Sequence, residues 1–286
     1  MKVSHNQLFT MILVLLCMSC NQKTNQSELS KQITSNYKLV ELSSGIMVEE
    51  FDSIITDENK YNHNNKVFKV GNSFEYAFKH ITKNGTVKYF KLDEDKIWDF
   101  VLEKDTDSKT ISTITIGVLN GNNMAKHMPD YNQTNLKYLM PTSKGYSTSG
   151  AIENEANIWI HPPRDHYFEI LELNPFPYIK LPAKIGDSWT WNLTIGDGWS
   201  DHRWKVWEGQ IENQYNYTTS GKETISSTLG SLDCFVVEST AKSRIGVTAL
   251  KSYYNPKYGF VKLDYTNIDG SKTILELINF TTENDK

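Results

Sequence analysis

The chain has 286 residues and a formal net charge of −4, with 30 lysine and arginine residues interleaved with 34 acidic residues. Because no basic cluster is present to neutralise phosphates, these features argue against nucleic-acid binding. With only three cysteines, the sequence also excludes a disulfide framework, so the fold must be stabilised by its core.

The first 20 residues have the features of a secretory signal. A polar start precedes an apolar run over residues 8–18, which is too short to cross a bilayer as a helix. The run ends at Ser19-Cys20 and resembles the lipobox cleaved by bacterial signal peptidases, although Cys17 stands where leucine is usual. The resemblance implies that residues 1–19 are removed and that Cys20 is acylated, with palmitate as one expected chain. A cleaved signal with an incidental Cys20 is the alternative.

Residues 20–36 follow as a polar segment that carries almost no large apolar side chain. Such a segment cannot bury enough surface to offset its ordering entropy, so it is predicted to be a flexible tether. Several acyl chains on Cys20 would hold the protein firmly at a membrane. The sequence therefore predicts a lipid-anchored protein of the bacterial cell envelope, expected at the outer membrane on its periplasmic or surface face.

From Tyr37 onward, apolar and polar residues alternate with a period of two, and no long helical stripe of apolar residues occurs. Aromatic residues make up 12% of the chain, which favours strands. We expect an all-β, mostly antiparallel fold with few or no long helices. A curled sheet, a half-barrel or a sandwich built from sequential hairpins would each satisfy this pattern.

Residues 37–119 are predicted to form an N-terminal β-hairpin region. One hairpin is expected over residues 74–92, where the pair Asn84-Gly85 supplies turn chemistry. A second is expected over residues 96–118, with the strand of Trp98 pairing with a later β-branched strand. A helix over residues 93–104 is the alternative for its first half.

Residues 120–156 lose both periodicity and apolar content, which predicts a long loop or a domain boundary. Residues 157–283 are predicted to form a C-terminal β domain that ends in a meander with turns at Asn255-Pro256 and Asp269-Gly270. Before this meander, strands are predicted in NIWIHP, YFEILEL, DSWTWNLTI and RWKVWEGQI.

Three short motifs carry a resemblance in the C-terminal half: IGDSW at 185–189, TLGSLDCFVVES at 228–239 and YYNPKYGFVKLDY at 253–265. On these motifs, residues 177–280 resemble a loosely defined group of bacterial envelope lipoprotein domains without an established activity. The resemblance implies an antiparallel half-barrel or curled sheet similar to that of LolA-like lipoprotein carriers.

Tryptophan is unevenly distributed, with six of the seven residues lying between positions 159 and 207. Trp189 and Trp191 share strand parity and are predicted to face the interior together. Read as a strand, the later segment would place Trp204 and Trp207 on opposite faces. The candidates for lining a sugar or lipid pocket are Trp159, Trp199 and Trp207, and core filling is the alternative.

Histidine and carboxylate side chains concentrate in HPPRDH at 161–166 and again around Asp201-His202. Such groups can bind zinc or act as a base in hydrolysis. However, no H-E-x-x-H, C-x-x-C or G-x-S-x-G motif is present, so surface polar pairing is the favoured interpretation and no metal or cofactor is predicted. The weak metal or catalytic candidates are His161, Asp165, His166 and His202.

Two other features are interpreted as structural. Cys234 alternates within DCFVVES and is predicted to be a small buried side chain. The acidic pair Glu49-Glu50 is predicted to be solvated, although a pair of carboxylates at the right separation could cleave glycosides.

The leading functional hypothesis is non-enzymatic. A membrane-tethered β domain would bind a small hydrophobic or carbohydrate ligand, or an envelope protein, through a concave aromatic face. The first alternative is a hydrolase of envelope or imported polysaccharide that uses the loops His161–His166 and Asp201–His202. The second is a structural subunit of an outer-membrane assembly.

Overall fold

The computed structural model describes residues 37–285, except for residues 43–44, 93–97, 123, 125–126, 129–130 and 142–144. The predicted signal, Cys20 and the predicted tether lie outside the described residues. In the part of the chain that is described, no helix has the length and apolar character needed to cross a membrane.

Strands dominate the described residues. They are β1 Tyr37–Glu41, β2 Met47–Phe51, β3 Ser73–Ile81, β4 Val87–Leu92, β5 Trp98–Val101, β6 Thr110–Ile111, β7 Thr113–Val118, β8 Thr134–Leu139, β9 Ser147–Glu153, β10 Asn157–Ile160, β11 Tyr178–Lys180, β12 Ser188–Ile195, β13 Ile211–Ser227, β14 Gly230–Ser243, β15 Gly246–Asn255, β16 Gly259–Thr266 and β17 Lys272–Thr281. Among the same residues, 3-10 helical segments occupy Glu103–Asp105, His166–Leu173, Asp197–Trp199 and Glu283–Asp285.

The main sheet is antiparallel, and its strands follow the order β11-β10-β9-β8-β7-β3-β17-β16-β15-β14-β13-β12. The two end strands, β11 and β12, do not pair, yet the rings of Tyr178 and Trp189 on them lie 5.3 Å apart. The sheet is therefore curled so that its ends approach while it stays open. This confirms the predicted all-β fold, in its curled-sheet form.

Three β-bulges contribute to the curl. The strand pairing leaves one extra residue on β13, on β16 and on β17, namely Ser220, Val261 and Ile278. The bulges follow one line across the sheet. Val236 of β14 lies next to the β13 bulge and pairs with Tyr253 of β15, which lies next to the β16 bulge. Bulges bend strands and increase their twist, so a line of them folds the sheet across its width.

The concave side of the sheet is filled by its own side chains and by an internal stretch of chain. The predicted alternation of Phe74, Tyr76 and Phe78 is confirmed, since all three are buried. Residues 166–177, called here the interior segment, lie against this face and bury a row of apolar side chains. These are Tyr167, Phe168, Ile170, Leu171, Leu173 and Phe176.

Polar side chains on the sheet fix the backbone of the interior segment. The carbonyl oxygen of Leu173 accepts hydrogen bonds from Asn213 Nδ2 at 3.0 Å and from Thr248 Oγ1 at 2.8 Å. Asn174 Nδ2 donates to the Thr266 carbonyl at 2.9 Å, and the Tyr217 hydroxyl donates to the Phe176 carbonyl at 3.1 Å. These bonds satisfy backbone groups that would otherwise be buried without partners.

Strand partners differ from the prediction in the N-terminal half. The hairpin of β3 and β4 is confirmed, with a turn at Gly85, whose φ is +83°. The predicted pairing of residues 96–118 is wrong, because β5 pairs with β4 and β7 pairs with β3. β4 pairs with β3 over only two residue pairs, which leaves the rest of that edge of β3 free for β7. The apolar face of β7 is buried at this edge. The alternative helix falls partly on residues 93–97, outside the described residues, and its later part contains strand β5.

Three further predictions of secondary structure were wrong. The segment YFEILEL is the 3-10 helical part of the interior segment, because it is buried on nearly all sides and has no strand to pair with. The segment RWKVWEGQI is mainly loop, and β13 begins only at Ile211. Residues 120–156 contain β8 and β9 of the main sheet, whose small and polar residues hid their strand character.

Candidate functional site

The tryptophans of the sheet pack into the core around one ring of the interior segment. The ring centre of Phe176 lies 5.8 Å from that of Trp159 and 5.1 Å from that of Trp191. Trp189 stacks on Tyr217 at 5.4 Å. The shared inward face predicted for Trp189 and Trp191 is confirmed, and Trp159 is also buried, with 4% of its surface exposed.

The loop of residues 196–210 buries two further tryptophans on one side. Trp204 and Trp207 are both buried, whereas Val206 is 63% exposed. The prediction that Trp204 and Trp207 face opposite sides is wrong, because this stretch is a loop and not a strand. Trp199 is half-buried and packs against the core, and its carbonyl accepts a hydrogen bond from Trp204 Nε1 at 3.2 Å.

A stack of three side chains holds this loop to β5. The rings of Trp98 and Trp204 are stacked with centres 6.2 Å apart, and the guanidinium carbon of Arg203 lies 3.7 Å from the centre of the Trp98 ring. Arg203 Nε also donates to Asp201 Oδ1 at 2.8 Å. This hydrogen bond lowers the pKa of Asp201. Through these contacts, Asp201 and Trp204 have a structural role, which is to hold the loop of residues 196–210 in place.

The candidate histidines contact three different carboxylates. His161 Nε2 lies 3.3 Å from Glu172 Oε2, and His166 Nε2 lies 3.5 Å from Asp165 Oδ1. His202 is highly exposed, and its Nδ1 lies 3.4 Å from Asp201 Oδ1. Over the residues that the structure describes, no three His, Cys, Asp or Glu side chains are grouped so that they could hold a metal ion.

Cys234 is buried, as predicted, and is a free thiol among the described residues. Burial raises the pKa of its thiol to about 11, so the thiol stays protonated and unreactive near neutral pH.

An open groove with a volume of about 750 Å³, called here the mouth groove, lies at one end of the curled sheet. Its walls come from strands β1, β9, β10, β14 and β15, from the loop before β3 and from the chain after β11. The lining residues are Tyr37, Asn64, Lys66, Glu153, Asn154, Glu155, Ile158, Leu181, Pro182, Ala183, Phe235, Tyr254 and Pro256.

The curl of the sheet creates this groove. β10 and β14 are separated by seven strands in the sheet order, yet Ile158 of β10 and Phe235 of β14 line the same groove. Strands from the two halves of the sheet therefore approach each other and form an opening whose two walls are distant in sequence. Openings of curled and closed sheets are common ligand sites, and the volume is within the usual range of roughly 300–1,000 Å³.

One wall of the mouth groove is apolar and partly aromatic. Phe235 is half-buried, and Lys222 Nζ lies 4.4 Å from the centre of its ring. Tyr254 is directly opposite Phe235 on the neighbouring strand and contacts the ring of Phe260 at 5.6 Å. The sequence interpretation missed this wall because it placed the ligand-binding rings among the tryptophans. The only local signal was the aromatic-rich strand around Tyr254.

Glu153 is a buried carboxylate at the base of the groove. It accepts hydrogen bonds from the backbone N–H groups of Lys66 and Phe68, each at 2.8 Å, and from that of Val67 at 3.0 Å. Burial raises the pKa of Glu153, while these three N–H groups lower it. Glu153 thus attaches the loop before β3 to the end of β9.

Asn154 is similarly used within the protein. Its Nδ2 donates to the Met47 carbonyl at 2.9 Å, and its Oδ1 accepts from the backbone N–H of Ala156 at 3.0 Å. The contact joins the hairpin β1–β2 to the turn between β9 and β10.

The rim of the groove carries the remaining polar groups. The Tyr37 hydroxyl donates to Glu155 Oε2 at 3.0 Å, and burial together with Glu155 raises the pKa of Tyr37 to about 12. Asn64 Nδ2 donates to Glu49 Oε1 at 3.1 Å, and Lys66 is exposed. The rim can therefore form hydrogen bonds to a ligand that the apolar wall contacts.

Glu49 lies behind this rim. The prediction that it is solvated is wrong, since only 6% of its surface is exposed. Burial raises its pKa to about 7. Its burial follows from the packing of the hairpin β1–β2 against the loop before β3, which no local pattern reveals.

Comparisons with known proteins give similarity of fold at low sequence identity. No protein-family model matches the sequence, and no curated protein matches it. Among solved structures, a Bacteroides fragilis protein described as exported and having a YmcC-like fold has a TM-score of 0.40 at 11% identity, covering 75% of this chain and 97% of its own. A protein from Parabacteroides distasonis, described as a lipoprotein, has a TM-score of 0.41 at 11% identity with the same coverages, 75% and 97%.

The third structure is that of YmcC from Escherichia coli, described as a hypothetical lipoprotein. Its TM-score is 0.34 at 10% identity, and the match covers 71% of this chain and 84% of YmcC. Similarities of this size do not assign an activity or a ligand to the chain.

A second cleft, of about 440 Å³, lies at the tip of the long hairpin β13–β14. Residues 225–228 of the hairpin line one side, and β16 and β17 line the other. Thr228 Oγ1 donates to the carbonyl of Ile278, which is the bulge residue of β17. The bulge therefore frees a backbone acceptor that anchors the hairpin tip.

Proposed function

We propose that the chain is a lipid-anchored protein of the bacterial envelope, expected at the outer membrane, and that it acts by binding a ligand in the mouth groove. The position of the groove supports this proposal most directly. Tyr37 lines the groove and is also the first residue after the predicted tether of residues 20–36. A ligand at the membrane surface would thus meet the side of the fold to which the anchor is attached.

As in the resemblance to LolA-like carriers, the proposed ligand contacts the concave side of a curled sheet. Since the interior segment fills most of that side, the ligand is confined to the mouth. The alternative hydrolase has less support, because His161, His166 and His202 contact different carboxylates.

The anchor is tested by replacing Cys20. In the native host, Cys20→Ser should abolish incorporation of labelled palmitate and release the protein from the membrane fraction, because the thiol is the acylation site. The matched control is Cys17→Leu, which removes the neighbouring cysteine, introduces the residue that is usual at this lipobox position and should leave both properties unchanged. Membrane association of Cys20→Ser equal to that of the wild type would refute lipid anchoring.

The groove is tested by filling it. We expect the wild-type protein, purified gently from its host, to retain a small molecule detectable by native mass spectrometry. Ala183→Trp should lose that molecule because the indole occupies the groove. Ile185→Trp places the same ring two residues away, at a position already 60% exposed, and should retain it. Equal ligand content in all three proteins, or none in the wild type, would refute the groove as the binding site.

A further inference from the structure

We infer that the mouth groove binds a neutral oligosaccharide, an inference that rests on the proposed function of the groove as the ligand site. Its apolar wall, the hydrogen-bonding groups of its rim and its charge all bear on the chemistry of the ligand.

The apolar wall matches the faces of sugar rings. Phe235, Leu181 and Pro182 supply the accessible apolar surface of the groove. Tyr254 and Ile158 line it as buried side chains that are 4% and 1% exposed. Pyranose rings present C–H groups on their faces, and these pack on aromatic rings while the hydroxyl groups point outward. Because Phe235 is only half-buried, part of its side chain remains available for such packing.

The rim supplies donors and acceptors in the form that hydroxyl groups need. Glu153 and Asn154 are occupied by backbone groups of the protein itself. The other polar side chains with hydrogen-bonding capacity at the groove are those of Asn64, Lys66 and Glu155. Asn64 already donates one hydrogen bond to Glu49, and Glu155 already accepts one from the Tyr37 hydroxyl. A carboxylate accepts, an ammonium donates and an amide does both, so a sugar with several hydroxyl groups can satisfy all three.

The charges at the groove favour a neutral ligand. Two carboxylates, Glu153 and Glu155, stand beside two cations, Lys66 and Lys222, and Lys222 Nζ lies 4.4 Å from the centre of the Phe235 ring. A fatty-acid carboxylate or a lipid phosphate would gain little net attraction from such a balanced set, and a neutral sugar needs none. The groove is also open, since Lys66, Glu155 and Pro182 on its rim are exposed. An acyl chain in such a cleft would keep much of its surface in water.

The test follows backbone amide signals by NMR while three probes are added separately. The probes are a panel of neutral oligosaccharides (homo-oligomers of glucose, galactose, mannose and N-acetylglucosamine), monomeric lysophosphatidylcholine, and oligolysine. We expect at least one oligosaccharide to shift the signals of groove residues such as Phe235 and Glu155, while signals of the second cleft at residues 225–228 stay in place.

Two variants then measure separately how the apolar wall and the polar rim contribute to saccharide binding. Phe235→Ala should weaken saccharide binding about tenfold by removing the stacking surface, and Glu155→Gln should weaken it a few-fold by changing a hydrogen-bond acceptor. The matched controls are Val247→Ala, an exposed apolar residue on β15, and Glu208→Gln, an exposed acid outside the groove, and both should bind as the wild type does. Glu155 is exposed, so its substitution tests the site even if Phe235→Ala is unstable.

The outcomes distinguish whether the groove is a ligand site at all from whether its ligand is a neutral oligosaccharide. If lysophosphatidylcholine or oligolysine shifts the groove signals and no oligosaccharide does, the groove is a ligand site and the saccharide inference is wrong. If none of the probes shifts them, the inference is wrong, and an empty wild-type protein in the mass-spectrometric experiment would then refute the groove itself.

Discussion

At the scale of single residues, burial determines the protonation of two side chains in this fold. Glu49 and His80 are 6% and 5% exposed, and in both cases desolvation disfavours the charged form. It raises the pKa of Glu49 to about 7 and lowers that of His80 to about 4. Each group therefore makes the stability of the protein depend on pH, with opposite signs.

Glu49 should destabilise the protein at alkaline pH. Its folded-state pKa of about 7 exceeds the ordinary glutamate value of 4.5, so its contribution to stability is complete below pH 4.5 and is lost as pH rises through 7. We expect Glu49→Gln to be more stable than the wild type at pH 8. Between pH 5 and pH 8, the unfolding free energy of the variant relative to that of the wild type should rise by about 2 kcal/mol. Urea unfolding at both pH values measures this. Glu50→Gln is the control, because Glu50 is exposed and paired with Lys38. An unchanged pH profile for Glu49→Gln would contradict the prediction.

His80 should remain neutral well into the acid range. Its Nδ1 lies 2.8 Å from the Tyr167 hydroxyl, and its ring stacks on Phe100 at 4.0 Å. Because its folded-state pKa is lowered, its contribution to stability is present above pH 6.5 and is lost as pH falls towards 4. At pH 5.5, imidazole NMR signals should show His80 neutral. A titration midpoint for His80 above pH 6 would show that burial does not govern this group.

At the scale of elements, loops are attached to the sheet by a few buried polar side chains. The loop before β3 carries little regular structure, yet Val67 and Phe68 in it are each only 1% exposed. Three of its backbone N–H groups converge on Glu153 at the end of β9. A single carboxylate therefore satisfies donors that would otherwise be costly to bury.

Replacing Glu153 should release this loop. In Glu153→Gln, an amide presents one oxygen and an N–H₂ group to three N–H donors, which should cost about 2–3 kcal/mol of unfolding free energy. Hydrogen exchange at the amides of Lys66, Val67 and Phe68 should become faster. Glu155→Gln is the matched control, since Glu155 contacts the Tyr37 hydroxyl and none of these amides. Protection that persists in Glu153→Gln would mean that packing alone holds the loop.

At the scale of the whole molecule, the interior segment connects strands that the sheet itself leaves apart. β10 and β12 lie towards opposite ends of the strand order, and Phe176 contacts Trp159 on one and Trp191 on the other. The open sheet is thus kept curled by packing across its concave side. The mouth groove depends on the same curl.

Truncating Phe176 should therefore affect the entire fold. We expect Phe176→Ala to lower the free energy of unfolding by about 3–5 kcal/mol and to change the near-UV circular dichroism of the buried tryptophans. Phe280→Ala is the control, because the ring contacts described for Phe280 are with Phe74 and Tyr258 and not with a tryptophan. It should cost stability with little change in the tryptophan signal. Equal spectra for Phe176→Ala and the wild type would contradict the bridging role.

The amino-acid sequence alone determined those features that depend on neighbouring residues. Alternation predicted most strands and the inward faces of Trp189 and Trp191, and turn residues predicted the hairpins at Gly85 and Gly270. The lipid-anchor signal is likewise a local motif, and it remains a prediction. These features share one cause, which is that side-chain direction and backbone preference act over a few residues.

Only the tertiary structure decided which strands pair, that YFEILEL fills the interior as a 3-10 segment, and where the candidate site lies. Ile158 and Phe235 meet in the mouth groove although they are 77 positions apart in the sequence. Glu49 and Glu153 are buried by chain segments that no local pattern associates with them. The physical reason is that burial and pairing depend on the curl of the whole sheet, which forms through contacts between distant parts of the chain.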